Sequence, residues 1–147
     1  MAMTVFSRGV WFPTVVWAGG ALRLELAAGA DALHDPRVLG FPIRAEHADV
    51  LRAELARDLL LWSALLPLWD DAGIRGPLDE GAAVALLDPV LLAPPEEVDA
   101  LFRTIRWSRE QLVAHGADVV LLERGEVHAS LAHATVERDQ GRVDAYR

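Results

Sequence analysis

The sequence contains no cysteine, which excludes disulfides, thiolate zinc sites and cysteine nucleophiles. Lysine is absent too, so all 14 basic residues are arginine. Schiff-base chemistry, lysine-activated nucleophiles and the lysine of a phosphate-binding loop go with it. There is no asparagine, and isoleucine occurs only at Ile43, Ile74 and Ile105, a bias that fits GC-rich bacterial coding. Positive charge is in short supply: 14 basic against 22 acidic residues leave a formal charge of −8. That argues against a nucleic-acid surface. The longest greasy stretch, 59–69, contains Ser63 and Pro67 and is flanked by Asp58 and Asp70. A membrane span needs about 20 apolar residues, so no membrane partner is expected. Residues 1–8 carry neither a basic cluster nor a long apolar run before a small-residue cleavage site, so no secretory signal is read and the expected location is cytoplasmic. Gly-x-Ser-x-Gly, Gly-x-Gly-x-x-Gly and phosphate-loop patterns are missing, which lowers the case for the common hydrolase, dehydrogenase and nucleotide-binding classes.

What is present is a core. Of 147 residues, 52% are apolar and 24% charged, the balance of one globular domain rather than a disordered chain. Gly19-Gly20 is a two-residue hairpin signal, since both positions accept positive φ without a Cβ penalty. Folding the chain there sets Ala18 against Ala21, Trp17 against Leu22, Val15 against Leu24 and Pro13 against Leu26. Val16 with Arg23 and Thr14 with Glu25 fall on the other face, so apolar and polar residues sort themselves. Pro13 marks an edge or a bulge, and residues 3–8 make a further short strand.

Residues 31–42, with two prolines at Pro36 and Pro42, read as irregular connection. From Ala45 a helix is expected, with Leu51, Leu55, Leu59, Trp62, Leu66 and Trp69 as one stripe and Asp49, Arg52, Glu54 and Arg57 outside. Pro67 should end or kink it. Its second half is apolar almost all round, which means either the centre of the fold or an interface. Asp79 is the N-cap of a short helix over 82–87, followed by a one-turn element at Asp88-Pro89. A third, long helix starts near Pro95 with Glu96 and Glu97 in its first turn. It buries Val98, Leu101, Ile105 and Leu112 and stops at Gly116. Residues 118–123 then read as a buried strand, turning at Arg124-Gly125 into a return over 127–135, with 127–137 ambiguous between strand and helix. A last strand is expected at 142–146. The expected fold is therefore α+β: an antiparallel sheet from N- and C-terminal strands, covered on one face by two long helices and one short one.

No residue set forms a recognised catalytic motif. His128 and His133, five apart, make no local metal pair on strand or helix, and no metal or cofactor is expected. Asp70-Asp71 and Glu96-Glu97 read as helix-end charges rather than an acid–base pair. Arg103, Arg106 and Arg109 recur every three residues as a basic sector suited to a carboxylate or phosphate, or else pair locally along Asp99–Arg103 and Arg106–Glu110. Trp107 falls off the buried stripe beside Arg106, a makeup common to interface anchors and pocket walls. The binding candidates are thus Trp107, Arg103, Arg106, Trp62, Trp69 and His128. Two functions fit. One is a small acidic protein-binding module, either a homodimer or an accessory or inhibitor-type partner of another protein. The other is a small-molecule domain or small enzyme, with Trp107 and Trp17 walling a pocket, an arginine orienting a small anionic ligand and His128 moving a proton.

Overall fold

The computed structural model describes residues 2–9, 12–28, 37–73 and 76–136. Trp11, His34 and the expected strand at 142–146 lie outside them. Four strands form one antiparallel sheet in sequence order: β1 (Met3–Phe6), β2 (Thr14–Ala18), β3 (Ala21–Ala28) and β4 (Arg37–Pro42). With six helices following, the fold is α+β. Gly19 and Gly20 have φ of 62° and 79°, the pair of left-handed residues that a tight hairpin needs. The β2–β3 register is the expected one, from Ala18 opposite Ala21 to Thr14 opposite Glu25. β1 adds on the far side of β2 with a register shift between Thr4 and Phe6, opposite Val16 and Val15.

β4 corrects the reading of 31–42 as irregular. Gly40 and Pro42 hid it, and both have a structural reason. In register, Gly40 lies opposite Glu25, and a Cβ there would come within 3.0 Å of the Glu25 Cγ and the Leu24 carbonyl. Pro42 ends an edge strand, where a missing N–H removes no inner ladder bond. Val15, Leu24 and Phe41 align across β2–β4 as a buried row, and Trp69 packs edge-on to Phe41 with ring centroids 6.2 Å apart.

The expected long helix is two, α1 (Ala45–Ala53) and α2 (Leu55–Ala72), separated by an extended Glu54 at φ −127°, ψ 100°. Leu59, Leu60, Leu61 and Leu65 are fully buried, so the all-round apolar segment is the centre of the fold and packs against α1, α3 and α5. Arg57, expected outside, is buried: it donates to the Val90 and Ala93 carbonyls and caps the end of α3. Pro67 sits inside α2 without ending it. A proline has no N–H for the carbonyl four residues back, and here that carbonyl, on Ser63, accepts the Ser108 N–H at 2.8 Å. The orphan is satisfied from another element, and the helix continues.

α3 (Glu80–Leu91) is capped by Asp79, whose carboxylate accepts from the Ala82 N–H. It runs through Asp88-Pro89 as one helix, not the two elements expected. Ala85, whose carbonyl loses its partner to Pro89, is exposed, so water can take its place. The third helix is likewise split. α4 (Pro95–Phe102) and α5 (Arg109–Ala114) flank the loop 103–108, and α5 restarts on Ser108, which accepts from the Gln111 N–H.

The C-terminal strands are not formed at 119–135. Residues 119–123 are the short helix α6 (Val119–Glu123), with Asp118 accepting from the Val120 and Leu121 N–H groups. A 3-10 turn, Ala129–Leu131, follows. Two capping glycines explain the sequence. Gly116 has φ 100°, with its own N–H on the Val113 carbonyl and that of Ala117 on Leu112; Gly125 has φ 79°, with its N–H on Leu122 and that of Glu126 on Leu121. Both are Schellman helix endings. Gly125, taken for a hairpin turn, ends a helix instead. A single hydrophobic cluster links Phe12 to Leu131 through all these elements.

Candidate functional site

A concave feature lies where α2, α3 and the loop 103–108 meet. One cavity of about 600 Å³ is lined by Leu66, Pro67, Asp70, Ile105, Arg106, Trp107 and Ser108. A second, of about 450 Å³, adds Ala64, Leu68, Ala82, Ala85, Leu86 and Thr104. They share Pro67, Ile105 and Arg106, so they adjoin along these residues and make a groove in two parts.

Three contacts hold its wall. The Ser108 N–H docks on the Ser63 carbonyl freed by Pro67. The Trp107 indole donates to the Phe102 carbonyl at 2.9 Å and lies 5.5 Å from the Phe102 ring. The Arg106 guanidinium forks onto both carboxylate oxygens of Asp71 at the end of α2. That fork holds the Asp71 carboxyl below the usual carboxylate range, and the same contact raises Arg106. Asp70, which also lines the groove, makes no ion pair among the described residues.

Of the six candidates, Arg106 and Trp107 come together here. Arg103 does not join them. It lies on the other side of the loop, its Nε 3.1 Å from where a Cβ on Gly125 would stand. Arg103, Arg106 and Arg109 occupy a helix end, a loop and a second helix, so the expected sector on one helix is not formed. The local pairs also give way: Arg106 takes Asp71, and Asp99 accepts from the His128 backbone N–H. Trp62 and Trp69 are core residues, only 6% and 4% exposed, and Trp69 donates to the Leu26 carbonyl. Neither lines the groove, and neither does His128. Trp17, expected on the buried face, is 44% exposed beside Met3 on the sheet edge. It walls no pocket with Trp107.

Sequence reading missed two buried polar sites. Arg8 reaches from the end of β1 to Asp58, Nε to Oδ2 at 2.8 Å, and also donates to the Leu51 and Arg52 carbonyls. It thereby caps α1 and pairs with the first turn of α2 across the Glu54 break. Asp58 is 2% exposed. Burial raises its carboxyl to about 7, against the opposing pull of Arg8. The two partners lie 50 residues apart in the chain, a separation that periodicity does not detect. The second site surrounds Trp62, which packs on Phe12 and His115. Among the described residues the Trp62 Nε1 and both amide atoms of the buried Gln111 have no hydrogen-bond partner. A third polar cluster is fully paired: His47 accepts the Arg44 N–H on Nδ1 and meets Asp88 through Nε2 at 2.7 Å. Both ring nitrogens are engaged, which suits a helix cap rather than proton transfer. Among the described residues no three metal-ligating side chains converge, and no helix is long and apolar enough to cross a membrane.

A family model matches residues 1–147 from end to end. The chain belongs to the family of unknown function DUF6357. No curated protein and no solved structure matches it. Membership in DUF6357 carries no activity with it, so the groove must be read from its own chemistry.

Proposed function

We propose that this DUF6357 protein is a cytoplasmic protein-binding module, an accessory or inhibitor-type partner whose α2–α3 groove receives an apolar segment of another protein. The observation that carries this reading is the apolar lining of the two adjoining cavities, Leu66, Pro67 and Ile105 beside Trp107 in one and Leu68 and Leu86 with Pro67 and Ile105 in the other. Small residues at Ala64, Ala82 and Ala85 leave room for the side chains of an inserted helix, the arrangement of helix-in-groove recognition. A second copy is the less favoured occupant, because two chains of charge −8 repel one another. A small anionic ligand is less favoured too. Arg106 is already forked by Asp71, and Asp70 would face the anion.

The test is an NMR titration of the full chain with an uncharged amphipathic helix of Leu and Gln, about four turns long. Amide shifts at Leu66, Leu68, Leu86 and Ile105, with a shift of the Trp107 indole N–H, are the expected result. Shifts confined to other surfaces, or none at millimolar peptide, would refute it.

A further inference from the structure

We infer that the groove selects a basic partner segment, one that sets a Lys or Arg beside its apolar face; the inference rests on the binding reading above and adds the chemistry of the partner. The groove's charge is one-sided once its internal pair is discounted. Among the described residues Arg106 is the only cation in the lining, and its guanidinium is committed to Asp71. Asp70, next to that pair and in the lining itself, remains without an ion pair among the described residues. An entering carboxylate would meet Asp70, whose charge Arg106 offsets only at a distance while the guanidinium's hydrogen bonds go to Asp71. An entering ammonium or guanidinium meets Asp70 directly and can share Asp71, which lies on the exposed rim where exchange of partners is easy.

The protein's overall charge of −8 acts in the same direction at longer range. It speeds encounter with a basic partner and slows encounter with an acidic one. The apolar floor supplies affinity and the carboxylates supply choice, the usual division of labour at interfaces.

The experiment compares two amphipathic helices of matched apolar face, one patterned Leu/Lys and one Leu/Glu, by calorimetric titration into the full chain. The Leu/Lys helix should bind at least tenfold more tightly at low salt, and the gap should narrow at high salt. Asp70→Asn should weaken the Leu/Lys helix roughly threefold, in the range of an exposed ion pair, and leave the Leu/Glu helix unchanged or tighter. Equal affinity for the two helices, with groove resonances shifted by both, would overturn the charge inference and leave the groove reading standing. Binding of neither, together with a failed Leu/Gln titration, would overturn both. Concentration-dependent self-association that shifts the same resonances without peptide would assign the groove to a second copy and overturn the proposal as well.

Discussion

Asp58 offers the sharpest test of how this fold handles a buried charge. Its carboxyl is 2% exposed and has one ionic partner, Arg8, at 2.8 Å. Two effects oppose each other. Loss of hydration favours the neutral acid, and the Arg8 contact favours the carboxylate; burial wins and the group moves from its ordinary 3.8 to about 7. The unfolded chain releases this proton near 3.8, while the folded chain keeps it until about 7. Between those values the native state binds one proton more than the unfolded state, so stability must fall as pH rises. The contribution is fully present below 3.8 and gone above about 7. Each pH unit of that window corresponds to about 1.4 kcal/mol, so the whole is at most about 4 kcal/mol. Urea denaturation of the native protein and of Asp58→Asn, from pH 4 to 8, isolates the term, because the other titrating groups cancel in the difference. Asn keeps the shape and an acceptor for the Arg8 N–H but cannot ionise. The two proteins should be similar near pH 4, and Asp58→Asn should become the more stable by up to about 4 kcal/mol near pH 8. A difference that is flat with pH, or that favours the native protein at high pH, would mean that the Arg8 pair outweighs desolvation and would refute the reasoning.

Two further perturbations follow from unusual backbone and side-chain bonding. Pro67→Ala restores a helical N–H that competes for the Ser63 carbonyl now held by Ser108. Exchange of the Ser108 amide should accelerate roughly five- to tenfold, the equivalent of one net hydrogen bond, while amides of α2 become better protected; an unchanged Ser108 amide would count against the docking role of Pro67. Gln111→Leu removes two buried amide atoms that have no partner and keeps nearly the same volume. It should stabilise the fold by about 1–3 kcal/mol in thermal or urea unfolding, and a loss of stability would show that the amide is engaged in solution.

The parts of the fold that could be read from sequence are those where one local rule decides the outcome. At Gly19-Gly20 the turn type sets the register, and alternation over 14–25 agrees with it, so the pairing of β2 with β3 was legible residue by residue. At Arg124-Gly125 the same left-handed glycine has two uses. It can turn a hairpin or close a Schellman ending, and Val119-Val120-Leu121-Leu122 argues for strand on propensity alone. The structure goes the other way because Asp118 satisfies two N–H groups at once, a capping gain that outweighs the weak β preference of a five-residue segment. β4 was illegible for the reverse reason: Gly40 and Pro42 are poor strand residues in isolation, tolerated by an edge position and a close cross-strand approach. Of the cavity's residues, Trp107 drew notice because it falls off the buried stripe and Arg106 because it recurs at three-residue spacing with Arg103 and Arg109. Pro67, Ile105 and the Asp70–Asp71 rim did not, since they join Trp107 only after α2 and the loop meet in space.

Pro67 connects the fold to the groove more closely than any other residue. By withholding an N–H it exposes the Ser63 carbonyl, and that carbonyl anchors Ser108, the residue that ends the loop 103–108 and starts α5. The same ring forms part of the floor shared by both halves of the groove. The loop is then held at three separate points: Ser108 on Ser63, Trp107 on the Phe102 carbonyl, and Arg106 on Asp71. A wall fixed in this way has already lost its conformational entropy during folding. An incoming segment therefore does not have to order the loop, and ordering an interface side chain costs about 0.5–1.5 kcal/mol each. On the binding reading proposed above, the groove would be a preformed receptor, in which the partner bears most of the ordering. On the same reading, loosening Pro67 and weakening the Arg106 fork should act on partner affinity more than on the core, which rests on the fully buried Leu59, Leu60, Leu61 and Leu65.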